Sequence, residues 1–232
     1  MNKPLSAKNT PKNPARWEQR SAQRVIESGH DQLLERSRKA VDAAYEILDE
    51  AGLEGLTIRA VLSRTGLSRR AFYERFESKD DLVLAVFEET ILRAARLFAE
   101  NVAKIENPLD RLQMIVKFIV IGKSMQPGTT SNDRRSAALS REHLRLAESR
   151  PAELKAALQP LIDLIQQQLT EGMEAGVVRE GDPKRLATLF YNLVSTTVHT
   201  ELLTAEDIGV DHETKKQLAD DVWDFCRRAV AA

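Results

Sequence analysis

Apolar residues recur at helical spacing along most of the chain. The first clear run comprises Ala40, Val41, Ala44, Ile47, Leu48 and Ala51, and Gly52 is expected to end that helix. Later runs predict a long helix that begins after Ser78, another that begins at Pro108, and further helices over roughly 135–148, 152–175, 183–203 and 213–230. Sustained alternation with β-branched enrichment is missing, so the sequence predicts an all-α fold.

The start of the chain has a different composition. Residues 1–14 combine three prolines with lysine and small polar residues, which predicts a mobile segment. An arginine-rich stretch from Ala15 to about Ser28 can form a short helix that ends at Gly29. We therefore expect a flexible basic arm over 1–30, followed by a small domain over 31–80 and a larger helical domain over 81–232.

Two short helical segments, 58–65 and 69–76, are separated by Gly66, Leu67 and Ser68. Helices of about two turns do not persist alone, so these two need a shared core. Gly66 can adopt the positive φ of a sharp reversal, and Ser68 can cap the second helix. This is the pattern of a helix-turn-helix, in which the second helix enters the major groove of DNA.

The exposed side chains of this segment suit DNA. Arg69 and Arg70 follow the cap at Ser68, and arginine can donate two hydrogen bonds to guanine. Tyr73 lies one turn later and can reach a phosphate, while Thr57 and Lys79 stand at helix starts that favour phosphate oxygens. The alternative is an ordinary helical hairpin with two solvated arginines.

Residues 36–90 resemble the N-terminal domain of TetR-family transcriptional regulators. The most specific part is the string Phe-Tyr-x-x-Phe-x-Ser-Lys-x-x-Leu over residues 72–82, preceded by Thr-Gly-Leu-Ser at 65–68. The resemblance implies a ligand-responsive regulator, more often a repressor than an activator, that binds double-stranded operator DNA. It also implies a three-helix DNA-binding domain followed by a larger helical domain for ligand binding and dimerisation.

Two sets of residues in the second domain follow from that layout. For a homodimer, the apolar stripes of the last two helices supply the interface: Leu186, Leu189, Phe190, Leu193, Val194, Thr197, Leu218, Val222 and Phe225. A small apolar or amphipathic effector can be lined by Phe87, Ile91, Met114, Phe118, Met125 and Tyr191. For each set, the alternative is that the residues form the core of the single chain.

Charge and composition refine this interpretation. The 232 residues carry a net charge of −1, but residues 1–79 hold 15 basic against 11 acidic residues and the remainder 19 against 24. A basic first part suits DNA. With one cysteine, no secretory leader and no long apolar run, we expect a cytoplasmic protein that does not enter a membrane.

Catalytic and metal-binding patterns are missing from the sequence. Its four histidines lack metal-ligand spacing, and His143, between charged neighbours, is expected on a solvated helix face. Cys226 is expected to be a small core residue. We therefore expect neither an enzyme nor a cofactor or metal. The alternative function is a helical enzyme or scaffold protein whose N-terminal hairpin does not read DNA.

Overall fold

The structure, a computed structural model, describes residues 16–121, 133–204 and 212–232. Within these ranges the chain forms nine α-helices: α1 Arg16–Gly55, α2 Ile58–Thr65, α3 Arg69–Tyr73, α4 Lys79–Val102, α5 Pro108–Ile121, α6 Asp133–Ser149, α7 Pro151–Glu174, α8 Pro183–Thr204 and α9 His212–Val230. The same ranges contain no strand, only an isolated antiparallel bridge between Val178 and Ala231. The predicted all-α fold class is confirmed.

Most predicted helix bounds agree with the structure to within two residues. Gly52 has φ of 64° and interrupts the helical conformation of α1, as expected for a residue that ends a helix. The expectation that Gly29 ends a helix is wrong, because Gly29 lies inside α1. A glycine in a helix costs only about 1 kcal/mol relative to alanine, which neighbouring turns can offset. Of the arm predicted over 1–30, residues 1–15 lie outside the described residues and residues 16–30 form part of α1.

Contacts group the chain into two units, residues 1–39 and residues 40–232. Within the second unit, buried side chains form two clusters. The first cluster joins the end of α1 to α2, α3 and the start of α4, and its largest fully buried members include Leu48, Val61, Phe72 and Leu82. The second cluster joins the rest of α4 to α5, α7, α8 and α9. The functional division at residue 80 stays a prediction.

Helix α6 contributes to both clusters. Ala138, near its start, is 2% exposed and belongs to the first cluster, whereas Leu146, two turns later, is fully buried in the second. Leu139 packs against both clusters. Because protein cores are close-packed, a shift of α6 displaces side chains in both clusters. Helix α6 therefore connects the helix-turn-helix to the helical bundle.

Candidate nucleic-acid interface

The reversal between α2 and α3 depends on Gly66. Its backbone has φ of 71° and ψ of 9°, and its N–H donates to the carbonyl of Leu62 at 2.9 Å. A Cβ placed on Gly66 would meet no atom within 4 Å. The position therefore requires glycine for its left-handed conformation and not for lack of space. This confirms the predicted turn.

Both helices of the motif begin with a capping hydroxyl. Thr57 Oγ1 accepts a hydrogen bond from Ala60 N at 3.1 Å, and Ser68 Oγ accepts one from Ala71 N at 3.1 Å. Both residues are exposed. A hydroxyl oxygen that accepts from the backbone still carries its own proton. Each cap can therefore donate that proton to a phosphate oxygen while it holds its helix.

Aromatic packing fixes the orientation of α3. Phe72 is fully buried and contacts Phe76, whose ring centroid lies 5.5 Å away. Phe72 also meets the ring of Tyr73 edge to face, with the centroids 5.4 Å apart and the planes at 89°. Tyr73 itself is 47% exposed. The buried ring therefore anchors α3 while its neighbour stays on the surface.

The two arginines at the start of α3 are exposed but differ in their partners. Arg69 makes no ion pair or hydrogen bond with any residue that the structure describes. Arg70 Nε donates to Glu74 Oε1 at 3.0 Å, although the Arg70 side chain is 90% exposed. Surface ion pairs of this kind contribute about 0–1 kcal/mol, so a DNA contact can replace the pair. Helix α3 ends at Tyr73, three residues before the predicted end.

Lys79 and the cap of α4 lie beside the motif. Ser78 Oγ accepts from Asp81 N at 3.2 Å, and Asp81 Oδ2 accepts from Glu77 N at 3.0 Å. These two bonds form a capping box at the predicted start of α4, with the return bond one residue earlier than usual. Lys79 is half-buried, and its Nζ donates to the carbonyl of Leu53 at 3.4 Å. An ammonium has three donors, so this long bond leaves two for a phosphate.

Two other arginines of the motif, Arg64 and Arg75, are already engaged by partners within the chain. Arg64 is held by Glu50, with the nearest atoms 2.6 Å apart, and its hydrogen bond lowers the pKa of the Glu50 carboxyl. The Arg75 side chain is 4% exposed and donates to the carbonyl of Ala71, within α3. Arg59, which the sequence interpretation did not single out, is exposed on α2. No pattern in the sequence separates Arg59 from Arg64, because the difference lies in contacts with α1.

The structure divides the predicted dimer residues into two groups. Leu189, Leu193 and Phe225 are 57%, 38% and 63% exposed, which leaves large apolar side chains uncovered on α8 and α9. Leu186, Thr197 and Leu218 are half-buried. Phe190, Val194 and Val222 are at most 8% exposed and belong to the chain's own core. Each stripe is therefore broader than the face that remains uncovered, and the role of all nine residues in a dimer interface stays a prediction.

The predicted effector residues lie in the second cluster or against it. Phe87 and Tyr191 are buried, and burial raises the pKa of the Tyr191 hydroxyl. Phe118 stacks on Phe98 with centroids 4.8 Å apart. Two more residues of this set, Ile91 and Met114, are half-buried against the same cluster, and Met125 lies outside the described residues. Their role as a ligand lining stays a prediction.

His143 does not lie on a solvated helix face, so that expectation is wrong. It is half-buried between Phe87 on α4, at 5.9 Å between ring centroids, and His199 on α8, at 4.5 Å. Burial lowers the pKa of His143. Burial, and secondly the neighbouring His143, lower the pKa of His199 to about 4. Both imidazoles are therefore neutral at physiological pH.

Charged side chains join α6 and α7 to the first turn of α4. Arg145 donates to Asp80 at 3.0 Å and to the buried Glu142 at 2.8 Å. Arg150 donates to Asp81 at 2.7 Å. The helix-turn-helix ends where α4 begins, so these pairs lie directly beside it. Sequence reasoning missed the pairs with Asp80 and Asp81 because the partners are more than 60 residues apart.

Two absences apply to the part of the chain that the structure describes. It contains no group of three or more His, Cys, Asp or Glu side chains placed to hold a metal ion. None of its helices combines the length and apolarity needed to cross a membrane. Cys226 is buried, which raises the pKa of its thiol to about 11 and confirms the predicted core position.

Comparison with known proteins starts at the motif. Residues 40–86 match the sequence pattern of the family described as "Bacterial regulatory proteins, tetR family". The transcriptional repressor AcnR of Corynebacterium diphtheriae is 34% identical over 70 residues, which cover 30% of this chain and 37% of AcnR. The fatty acid metabolism regulator protein of Bacillus subtilis is 21% identical over 162 residues, which cover 69% of this chain and 80% of that protein.

A solved structure extends the likeness to most of the fold. The transcriptional regulator FadR of Bacillus subtilis, solved in complex with stearoyl-CoA, superposes with a TM-score of 0.62 at 17% identity. The superposition covers 82% of this chain and 96% of FadR. The arrangement of helices is therefore shared beyond the segment whose sequence is recognisable.

Proposed function

Because the chain belongs to the TetR family of transcriptional regulators and is a ligand-responsive regulator, we propose that it is a repressor that binds operator DNA as a homodimer through α3. The observation that carries this proposal is the exposed start of α3. Arg69, Arg70 and Tyr73 lie on the surface of a helix whose other side is anchored by the buried Phe72. Such a helix can enter the major groove without rearrangement of its core.

We assign reading of the bases to the two arginines. Arg69 lies directly after the cap and is free to present its guanidinium to guanine O6 and N7. Arg70 must first exchange or share its contact with Glu74. A solvated pair weakens the net gain from the new contact, because the old one is lost. Arg69 is therefore the stronger determinant of specificity in this proposal.

Thr57, Ser68, Tyr73 and Lys79 are assigned to the phosphates. The two capping hydroxyls retain a proton to donate, and Lys79 retains two donors beside its bond to Leu53. Thr57 and Ser68 also lie where unpaired backbone N–H groups of α2 and α3 attract anions. Phosphate contacts of this kind position the protein and carry no sequence information.

In this proposal, dimerisation through α8 and α9 completes the DNA-binding unit. Leu189, Leu193 and Phe225 expose large apolar side chains, and contact with a second copy would remove them from water. A twofold pair of motifs reads two half-sites, which a single short helix does not. Binding to chromosomal operators also places the protein in the cytoplasm. The basic residues of the predicted arm, 1–30, are proposed to add phosphate contacts.

We propose that the effector is apolar or amphipathic and lies between α4 and α8. The likeness to FadR, which was solved with stearoyl-CoA, supports a ligand with a long apolar part. Phe87, Ile91, Phe118 and Tyr191 offer apolar or aromatic surface in this region. Since α6 packs against both clusters, a ligand that moves α6 can change the spacing of the two motifs and release DNA.

The experiment is a binding series on an operator selected from random duplexes. The affinity of the wild type should fall linearly with salt on logarithmic axes. Arg69→Ala should weaken operator binding about 10- to 100-fold, since one bidentate base contact contributes about 1–3 kcal/mol, and should weaken binding to random DNA much less. Arg70→Ala should have the smaller effect of the two.

Arg96→Ala is the matched control. Arg96 is exposed on α4 and lies 17 residues after its start, about 25 Å along the helix axis. It should bind like the wild type. If selection yields no preferred sequence, or if Arg69→Ala weakens all duplexes equally, then α3 does not read DNA. That result would favour the helical enzyme or scaffold.

A further inference from the structure

A line of polar side chains runs through the apolar contact between α6 and α8. On α8, Tyr191, Ser195 and His199 follow one another at intervals of four residues and so share one face of the helix. On α6, Ser140 and His143 are three residues apart and share the face that meets His199. We name these five residues the polar seam. Ser140, Tyr191 and Ser195 are each 4% exposed.

Such a line of residues is unusual for a core contact. Buried polar groups cost free energy unless they are hydrogen-bonded, and apolar residues such as Phe87 and Leu146 pack around this contact. Ser195 Oγ donates to the carbonyl of Asn192 at 3.4 Å, within α8, which meets part of this cost. The two imidazoles form no hydrogen bond with any residue in the described ranges. Leucine would pack better than histidine at these two positions. The imidazoles therefore point to a role in binding a ligand.

The chemistry of the pair selects the ligand class. Each imidazole is neutral here and carries one N–H donor. The rings lie 4.5 Å apart, so the two donors can serve the two oxygens of one carboxylate. Charge-assisted bonds of this kind are about twice as strong as neutral ones. The buried Glu142, next to His143 in the sequence, is already paired with Arg145 and is not available to a cation.

The surroundings of the pair are suited to the rest of such a ligand. Phe87 contacts His143 from α4, with ring centroids 5.9 Å apart, and Ile91 lies one turn further along the same helix. Both histidines are half-buried, so the pair is reachable from solvent. A molecule whose polar end meets the histidines would therefore have apolar surface directly beside it. This arrangement favours an amphipathic acid over a small polar anion.

We propose that His143 and His199 bind the free carboxylate of an amphipathic acid, which is the effector of this regulator. This deepens the proposed function and rests on it, since it names the chemical class of the ligand. It also separates this chain from a reader of acyl thioesters, which have no free carboxylate. The position of the pair supports a regulatory role, because Glu142 and Arg145, beside His143 on α6, connect to Asp80.

The test uses three probes with one tail: decanoate, decanol and decanoyl-CoA. Calorimetry on the full-length protein should show decanoate binding about tenfold or more tightly than decanol, the effect expected for charge-assisted hydrogen bonds. His143→Phe and His199→Phe keep the ring and remove the donors, and each should reduce the preference to within about twofold. His212→Phe, at the exposed start of α9, is the matched control and should retain it.

A second measurement, made on the wild type, tests the proposal even if the histidine variants fail to fold. In the wild type labelled with ¹⁵N-histidine, decanoate should shift the nitrogen resonances of two imidazoles and decanol should shift neither. Equal affinity for the acid and the alcohol, tighter binding of the thioester than of the acid, or an unchanged preference in both variants would overturn the proposal. A protein that binds its operator but shows one of these results refutes this inference alone. Loss of operator reading refutes the proposed function and leaves carboxylate binding to be judged by calorimetry.

Discussion

The helix-turn-helix is held by contacts between residues that are close in sequence, whereas the contact between α6 and α8 joins residues that are far apart in sequence. In the motif, Thr57 bonds to Ala60 and Ser68 to Ala71, each three positions further on. Between the later helices, His143 meets a ring 56 positions away, and Arg145 pairs with Asp80, 65 positions away. Local bonds give the motif a shape that its own residues specify. The long-range contacts acquire their chemistry only when the bundle has folded, and they change when its helices move.

The largest expected effect concerns the core of the motif. Phe72→Ala should lower the free energy of unfolding by about 3–5 kcal/mol, because a fully buried ring is replaced by a cavity. Helix α3 has five residues and cannot persist without that anchor, so operator binding should be lost as well. Urea titration and operator binding at 25 °C provide the measurement. Leu97→Ala, at a 44% exposed position on α4, should change stability far less. A stable Phe72→Ala variant that binds operator normally would contradict this account of α3.

Two glycines with the same left-handed backbone conformation, one in each region, allow the regions to be compared by the same substitution. Gly66 and Gly176 have φ of 71° and 70°, and neither has an atom within 4 Å of a Cβ position. Each glycine-to-alanine change should therefore lower the free energy of unfolding by about 1–2 kcal/mol through the left-handed conformation. We expect only Gly66→Ala to weaken operator binding, since its turn sets the angle between α2 and α3. Equal losses of DNA affinity in both variants would show that global stability, and not the turn, controls binding.

The same contrast explains what was predictable. The cap at Ser68 and the turn at Gly66 were predicted because donor and acceptor lie within four residues of each other. The solvated face expected around His143 was wrong, because Phe87 and His199 cover that side of α6. The charged residues next to His143 in the sequence do not indicate that these two rings cover it.

The dimer stripe illustrates a second limit of the sequence. Leu189 and Phe190 are neighbours of similar apolarity, yet the first is 57% exposed and the second 4%. Periodicity indicates that α8 has a broad apolar face. Which part of that face a neighbouring helix already covers is a property of the tertiary fold, so the interface residues could be predicted only as a mixed set.

A pH titration tests the long-range region. The folded-state pKa of His199 is about 4, below the value of about 6.5 for an unfolded histidine. The unfolded chain therefore binds the proton first, and His199 lowers stability progressively as the pH falls from about 6.5 towards 4. His199→Phe should lose less stability than the wild type between pH 7.5 and 5, measured as the shift in thermal midpoint. His212→Phe should follow the wild type. Parallel curves for all three proteins would place His199 in contact with water.

The smallest expected effect compares a local and a long-range contact within the first turn of α4. Ser78→Ala removes the cap and should cost about 1 kcal/mol. Asp80→Asn removes the ion pair between Asp80, whose side chain is 52% exposed, and Arg145, whose side chain is 40% exposed. The bond from Arg145 to Glu142 stays in place. Asp80→Asn should cost less than Ser78→Ala, and only its cost should shrink as salt rises from 0.05 to 0.5 M. Asp110→Asn, in the first turn of α5, controls for the helix dipole. If Asp80→Asn costs more than Ser78→Ala at every salt concentration, the pair between Asp80 and Arg145 contributes more to stability than the local cap does. The start of α4 would then depend on a long-range contact, and the contrast between a helix-turn-helix held by local bonds and a bundle held by long-range contacts would not apply there.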